Sequence, residues 1–194
     1  MGRCRSAADL AADLRQAGIR EGDNLIVHSS LKSVGPVEKG PGTVVEALLQ
    51  AIGPSGNLMV PTFTYSMPMW KCDPFDVRRT PGRVGIIPEY VRQHPRARRS
   101  FHPTHSVAVI GPDALVITAN HLRATPIGEA SPFGRMYRRG AKILMLGTFQ
   151  DTNSSLHYCE VASGVEYVNV TFSDGQDYEI AWFINEKDQV EYTK

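Results

Sequence analysis

Short apolar runs alternate with stretches of helical periodicity along most of the chain. Four runs have the length of strands, and the stretches between them carry apolar residues on one helical face. The predicted strands are Asn24–His28, Asn57–Phe63, Ser106–Ile110 and Lys142–Phe149, the last of them buried and central. The predicted helices are Ser6–Gln16, Thr43–Gly53, Gly85–Gln93, Pro112–His121, Ser131–Arg139 and Asn153–Ser163. This mixture of strands and helices predicts an α/β sandwich built on a mixed sheet.

Three segments break the alternation. Residues 33–42 are rich in glycine and proline and predict a loop, after which Thr43 and Glu46 have the spacing of a capping box. Residues 64–84 predict a long irregular loop, which in a compact domain is usually functional or disordered. The strands Val165–Phe172 and Tyr178–Ile184 predict an antiparallel hairpin. No repeat or linker divides the chain, so residues 1–194 are predicted to form a single domain.

The composition is that of an ordinary globular protein, with 42% hydrophobic and 21% charged residues. No apolar run approaches the ~20 residues of a membrane span, and the N-terminus lacks the apolar segment of a secretory signal. Three cysteines without paired spacing favour a reducing compartment over a disulfide framework or a zinc ribbon. Of these, Cys159 is predicted to be a core thiol rather than a nucleophile. Basic and aromatic residues form no nucleic-acid-binding stripe. We therefore expect a cytoplasmic monomer or homodimer that binds neither membranes nor nucleic acids.

The net charge of +1 is unevenly distributed. Residues 1–150 carry a net charge of +8 and residues 151–194 a net charge of −7. One interpretation is a solvated acidic tail on a mildly basic body. The other is a pair of pockets of opposite sign, a basic one for phosphates and an acidic one for a cationic substrate.

The densest group of reactive side chains lies between residues 151 and 160, directly after the most apolar predicted strand. A helix cap at residue 153 or 154 would place His157 and Glu160 on one helix face. A carboxylate beside an imidazole suits a general base, because it orients the ring and stabilises the imidazolium. Asp151 would add negative charge nearby. The alternative is a surface ion pair worth at most about 0.5 kcal/mol.

Two further polar clusters, residues 28–31 and residues 100–106, adjoin predicted strands. Ligands of open α/β sheets gather at such strand ends, and the arginines that precede residue 100 can bind phosphates. Both clusters can also be ordinary surface turns. A third possibility is a metal-dependent hydrolase, although no recognisable zinc-hydrolase motif is present. Its ligands would be His28, His102, His105 and His157 with Asp151 or Glu160.

The ordered set of these clusters resembles the aminoglycoside 3-N-acetyltransferase family. The matching segments are 28–31, 42–49, 61–63, 85–89, 99–108, 131–132 and 151–160, and they span roughly residues 5–165. No single segment is specific, but their order is. The resemblance implies the antibiotic N-acetyltransferase fold, distinct from the GNAT acetyltransferases. It also implies a shortened C-terminal part, since members of the family continue past the position of Lys194.

The resemblance implies acetyl transfer from acetyl-CoA to the 3-amino group of a 2-deoxystreptamine aminoglycoside, by direct attack and without a metal. His157 would be the general base, assisted by Glu160 or Asp151. The implied CoA contacts are Ser29, Ser30, Leu31, Lys32, Gly35, Ser100, His102 and Ser106, and the implied substrate contacts are Asn153, Tyr65 and His105. Two alternatives remain open: a CoA-dependent acyltransferase for another amine, and a truncated protein that binds ligands without turnover.

Overall fold

A computed structural model describes residues 4–64, 73–165 and 181–193 of the chain. The strands are β1 (Asn24–Ser29), β2 (Asn57–Pro61), β3 (Arg98–Arg99), β4 (Val107–Ile110), β5 (Lys142–Leu146), β6 (Ala181–Ile184) and β7 (Val190–Thr193). The helices are α1 (Ala7–Gln16), α2 (Leu31–Val34), α3 (Pro41–Ile52), α4 (Ile86–Gln93), α5 (Ala114–Thr118), α6 (Pro132–Arg138) and α7 (Ser155–Ser163). Short 3-10 turns lie at His121–Arg123 and Gln150–Thr152.

The first five strands form one mixed sheet in the order β3-β4-β2-β1-β5. β1 pairs in parallel with β2 and β5, whereas β4 runs antiparallel to both β2 and β3. The carboxyl ends of β1, β2, β3 and β5 therefore meet the start of β4 at one edge of the sheet. This topology confirms the expected mixed α/β fold and brings all three polar clusters to that edge.

The two faces of the sheet pack into different cores. Leu25 and Val27 of β1 belong to the core that includes α1, α3 and α4, while Ile26 belongs to the core that includes α5, α6 and α7. Successive side chains of a strand point to opposite faces. His28 therefore lies on the α7 face of the sheet, and Ser29 lies on the α3 face.

The strand β5 differs from its prediction. The sequence predicts a buried central strand over Lys142–Phe149, but β5 ends at Leu146 and is an edge strand among the described residues. Ile143 is 45% exposed and Phe149 is 83% exposed. An apolar run fits a buried strand and a half-covered edge strand alike, because hydrophobicity alone does not reveal which elements lie next to a strand.

The start of α3 also differs from its prediction. The helix begins at Pro41 with Gly40 at the cap position, and proline suits the first turn because its missing N–H would be unpaired there. The Thr43 hydroxyl does not cap the helix; it accepts a hydrogen bond from the Lys39 N–H at 3.1 Å. The predicted end at Gly53 is confirmed, with a φ of 65°.

The hairpin of β6 and β7 lies beside the edge of the sheet at which β1, β2, β3 and β5 end, called the strand-end edge below. Most of the predicted hairpin at residues 165–184 falls outside the described residues, and β6 pairs instead with β7, which the sequence analysis does not predict. The Phe75 N–H donates a hydrogen bond to the Trp182 carbonyl at 2.8 Å. The rings of Phe101 and Phe183 meet edge to face, with centroids 5.1 Å apart. The hairpin is thus attached to residues 73–84 and to the loop after β3.

The partly buried side chain of Arg99 holds the strand-end edge together. Its guanidinium donates hydrogen bonds to the Ser106 hydroxyl at 3.0 Å and to the Thr62 carbonyl at 3.1 Å. It also donates to the carbonyls of Val77 and Thr80. Burial lowers the pKa of Arg99 to about 10, so the group remains charged at neutral pH. Arg99 therefore joins the ends of β2 and β3 and the start of β4 to residues 77–80.

Replacing Arg99 with methionine should lower the free energy of unfolding by about 3 kcal/mol, because three partly buried carbonyls lose their donor at once. The matched control is Arg98→Met at the neighbouring exposed position, which should change that free energy by at most about 0.5 kcal/mol. Urea denaturation at neutral pH measures both effects. Equal effects of the two substitutions would contradict the structural role of Arg99.

Candidate active site

A cavity of about 320 Å³ opens at the strand-end edge of the five-stranded sheet. Its walls come from the ends of β1 and β2, from the start of α4 and the residues before it, and from the β5–α7 connection. They include His28, Ser29, Phe63, Asp151, Asn153 and His157. Because α/β sheets bind ligands in crevices beyond the carboxyl ends of their strands, this cavity is the candidate active site.

The start of α7 brings His157 to the cavity wall. The Asn153 Oδ1 accepts a hydrogen bond from the Ser155 N–H at 3.0 Å, and its amide group donates to Gln150 Oε1 at 2.8 Å. Ser154 occupies the cap position, but its hydroxyl makes no capping bond. The predicted helix over this segment is confirmed, and Asn153 supplies the hydrogen bond that starts it.

His157 and Glu160 form the imidazole–carboxylate pair that the helical spacing predicts. His157 Nδ1 lies 2.7 Å from Glu160 Oε2. A carboxylate oxygen only accepts hydrogen bonds, so Nδ1 carries the shared hydrogen and Nε2 of the neutral ring is a proton acceptor. The side chains are 66% and 31% exposed. An exposed pair stabilises a helix by about 0.5 kcal/mol at most, so stability alone does not account for it.

The cavity wall formed by residues 151–157, called the α7 wall below, is otherwise polar. Asp151 is exposed in the 3-10 turn before the helix and lines the cavity. Cys159, predicted to be a core thiol, is exposed instead, because α7 buries the face of Ser155 and Tyr158. The cavity wall formed by this segment is therefore acidic and accessible to a cationic ligand.

The predicted CoA contacts 29–35 form the end of β1 and the short helix α2. Ser29 lines the cavity, and its Oγ is buried without a hydrogen-bond partner in the described chain. The Ser30 hydroxyl accepts a hydrogen bond within α2 at 3.1 Å, Leu31 is half-buried and Lys32 is exposed. Gly35 ends α2 with a φ of 89°. Of these five residues, Ser29 is the one that the structure places in the cavity wall.

The close approach of α2 to the end of β5 requires a glycine at position 147. Gly147 has a φ of 71°, and a Cβ there would lie 2.9 Å from the Ser33 Cβ and 3.0 Å from the Ser30 carbonyl oxygen. Any side chain would therefore push α2 away from β5 and change the cavity wall between them.

Ser100, His102 and Ser106 lie beneath the edge and do not line the cavity. All three are at most 9% exposed. The Ser106 hydroxyl donates to the Thr62 carbonyl at 2.9 Å, and the Ser100 hydroxyl accepts from the Val107 N–H at 2.9 Å. These hydroxyls hold neighbouring strands together, and the CoA contacts expected of the three residues stay predictions.

Three histidine rings pack together below the same edge. The ring centroid of His102 lies 4.6 Å from that of His121 and 5.7 Å from that of His105. His121 Nε2 lies 2.9 Å from the Pro126 carbonyl, so Nε2 carries the hydrogen and Nδ1 accepts from the Ser100 hydroxyl at 2.8 Å. Burial lowers the pKa of His102 to about 3 and those of His105 and His121 to about 4. All three rings are therefore neutral at neutral pH.

The two remaining predicted substrate contacts have different outcomes. His105 packs behind the cavity wall, with its ring centroid 4.9 Å from that of Phe63. Tyr65 lies outside the described residues. The contact of either residue with a substrate stays a prediction.

Several residues that line the cavity are not among the site residues predicted from the sequence. These are Phe63, Val84, Pro88 and Thr148. Phe63 and Thr148 belong to predicted strands or their ends, and position at a strand end is a signal that can identify them. Val84 and Pro88 follow an irregular segment with no such signal, and the Arg83 N–H attaches that segment to the Phe63 carbonyl at 2.8 Å.

The described residues contain neither a grouped set of metal ligands nor a membrane-spanning helix. Within residues 4–64, 73–165 and 181–193, no three or more histidine, cysteine, aspartate or glutamate side chains are grouped so that they could hold a metal ion. The histidines considered above as metal ligands therefore do not form such a group. No helix in the same ranges has both the length and the apolar character needed to cross a membrane.

The sequence profile of the aminoglycoside 3-N-acetyltransferase family matches residues 26–192. The chain belongs to this family. Aminoglycoside N(3)-acetyltransferase III from a Salmonella species is 35% identical over 195 residues, which cover 87% of this chain and 66% of the relative. A protein of the same name from Serratia marcescens is 36% identical over 173 residues, which cover 80% and 64%. The chain thus spans about two thirds of the length of these relatives.

Solved structures of aminoglycoside acetyltransferases share the fold. The structure "AAC-IIIb binary with CoASH" has a TM-score of 0.84 and 26% identity, covering 98% of this chain and 75% of that chain. AAC-VIa bound to sisomicin also has a TM-score of 0.84, with 29% identity and the same coverage. A variant of AAC(3)-IVa in complex with a gentamicin has a TM-score of 0.84 and 29% identity, covering 100% of this chain and 70% of that chain.

The free energy of unfolding of this acetyltransferase-family chain should fall as the pH decreases from about 6.5 to about 5. Burial lowers the pKa of His102, His105 and His121 in the folded state, so the unfolded chain binds more protons in this window. Carboxylates with lowered pKa values, such as Asp76 and Glu89, take up protons only at pH values below this window. The contribution of these three histidines to the free energy of unfolding is therefore complete above their pKa in the unfolded chain. It is lost as the pH falls towards their pKa values in the folded state.

Urea denaturation at several pH values between about 7 and about 5 measures this dependence. The His121→Gln variant should show a smaller slope than the wild type, because one proton-binding difference is removed. A free energy of unfolding that is constant over this range would contradict the neutral buried cluster.

Proposed function

We propose that the chain transfers an acetyl group from acetyl-CoA to the 3-amino group of a 2-deoxystreptamine aminoglycoside. The observation that carries this proposal is the His157–Glu160 pair at the cavity on the strand-end edge, in a chain of this family. The CoASH of AAC-IIIb and the sisomicin of AAC-VIa support the two classes of substrate. The exposed carboxylates of Asp151 and Glu160 suit a cationic amine.

In the proposed reaction, His157 Nε2 takes a proton from the substrate amine, while Glu160 orients the ring and stabilises the imidazolium. The amine nitrogen attacks the thioester carbonyl carbon and forms the C–N bond. The C–S bond then breaks, and the CoA thiolate takes up the proton held by His157. The products are the acetylated amine and CoASH. Such proton transfer contributes about 100- to 10,000-fold to the rate.

The hydroxyl of Ser29 is the donor that we assign to the oxyanion formed during this attack. Its Oγ is buried and unpaired in the described chain, and Ser29 lines the cavity. The Ser106 hydroxyl lies outside the cavity wall and already donates to the Thr62 carbonyl. Loss of one oxyanion donor typically lowers the rate by about 100-fold or more.

The test is release of CoA thiol from acetyl-CoA by the purified 194-residue chain, with sisomicin, gentamicin or kanamycin, or with no amine. Release that depends on the aminoglycoside is the expected result, and mass spectrometry should find one added acetyl group. Folded protein that releases no thiol with any of these amines would refute the proposed activity of this chain.

The His157→Ala variant should lose at least about 100-fold in turnover while it still binds CoASH. Because the pair is exposed, the substitution should change the free energy of unfolding by about 0.5 kcal/mol at most. The matched control is His94→Ala at the end of α4, outside the cavity wall. Turnover of His157→Ala close to that of the control would show that His157 is not the base.

A further inference from the structure

Three buried side-chain atoms lack a hydrogen-bond partner in the described part of the chain: His28 Nε2, Ser29 Oγ and Ser155 Oγ. An unpaired buried polar group costs about 1–3 kcal/mol, so such atoms are usually satisfied by water or a ligand. His28 is 6% exposed, and both His28 and Ser29 line the cavity. The unpaired atoms of these two residues are therefore placed where a bound substrate can satisfy them.

The two residues serve different sides of the cavity. His28 lies on the same face of β1 as Ile26, whose core includes α6 and α7, the helix that carries His157. Ser29 lies on the same face as Val27, whose core includes α1 and α3. An amine next to His157 is therefore on the side of His28, and the proposed oxyanion contact places the acyl donor on the side of Ser29.

The charge state of His28 suits contact with a cationic amine. Burial lowers its pKa to about 4, so the ring is neutral at neutral pH and does not repel an ammonium group. A neutral ring with its hydrogen on Nδ1 has Nε2 free to accept a hydrogen bond, which a protonated ring cannot do.

We propose that His28 Nε2 accepts a hydrogen bond from an amino or hydroxyl group of the amine substrate and so positions that substrate beside His157. This assignment rests on the proposed acetyl transfer and adds a substrate-binding residue on the amine side. The contact satisfies a buried atom that the protein itself leaves unpaired. Its loss should weaken binding of the amine and leave binding of CoA unchanged.

The experiment is isothermal titration calorimetry of the wild-type chain and of folded variants with sisomicin and, separately, with CoASH. His28→Leu should raise the Kd for sisomicin by at least about tenfold and change the Kd for CoASH by less than about twofold. His28→Gln, which keeps an acceptor, should recover part of the loss. Ser29→Ala is the matched variant on the other face and should leave the Kd for sisomicin within about twofold of the wild type. If His28→Leu does not fold, His28→Phe, which also lacks an acceptor, replaces it with the same expected tenfold loss.

An unchanged Kd for sisomicin would mean that water satisfies Nε2, and it would overturn the assignment. A higher Kd for CoASH with an unchanged Kd for sisomicin would place His28 on the acyl-donor side and would also overturn the assignment. Wild-type protein that binds CoASH but no aminoglycoside refutes the proposed amine substrate and this assignment together. Because that failure is visible in the wild type, it is distinguishable from a failure of the His28 assignment alone.

Discussion

The partly buried guanidinium of Arg99 joins the chain segments from which the cavity is built. β4 runs antiparallel between β2 and β3, so the chain must turn back at the same edge where β1 and β5 end. The carbonyls of Thr62, Val77 and Thr80, all of which follow β2 in the chain, accept hydrogen bonds from this guanidinium at partly buried positions. A planar group with five N–H donors can serve several of them at once, which a lysine ammonium at the same place cannot do in the same geometry.

Behind the cavity the histidine rings are neutral and the serine hydroxyls are paired, whereas the polar groups of the cavity wall are accessible. His102 and His121 are buried, neutral rings, and Ser100 and Ser106 use their hydroxyls for hydrogen bonds within the protein. His157 and its carboxylate partner are exposed at the cavity. This separation keeps a rigid support under the site at which we propose that His157 gains and loses a proton.

Local features could be predicted from the sequence because they depend on residues near one another in the chain. The helix predicted to start at Ser6, which caps α1, and the His157–Glu160 pair both follow from local sequence, and both are confirmed. The errors concern features set by distant contacts. The burial of Lys142–Phe149 depends on which elements lie beside β5, and the exposure of Cys159 depends on which face α7 turns to the sheet.

The same distinction applies to the site. The three polar clusters, residues 28–31, 100–106 and 151–160, lie close together because each adjoins the end or start of a strand at the same edge of the sheet. That proximity can be predicted once the parallel pairing of β1 with β2 and β5 is known. Their roles do not follow, because the sequence alone cannot show that Ser106 is paired with Thr62 while Ser29 and His28 are left unpaired at the cavity. Those facts depend on strand register and on the alternation of side chains along β1.

The central claim is that amine and thioester meet in this cavity, between the α7 wall and the end of β1. A crystal structure of the chain with CoASH and sisomicin tests it most directly. We expect the reacting amine within hydrogen-bond distance of His157 Nε2 and the CoA thiol on the side of Ser29. Sisomicin bound away from the His157–Glu160 wall, or a thiol outside the cavity, would contradict it.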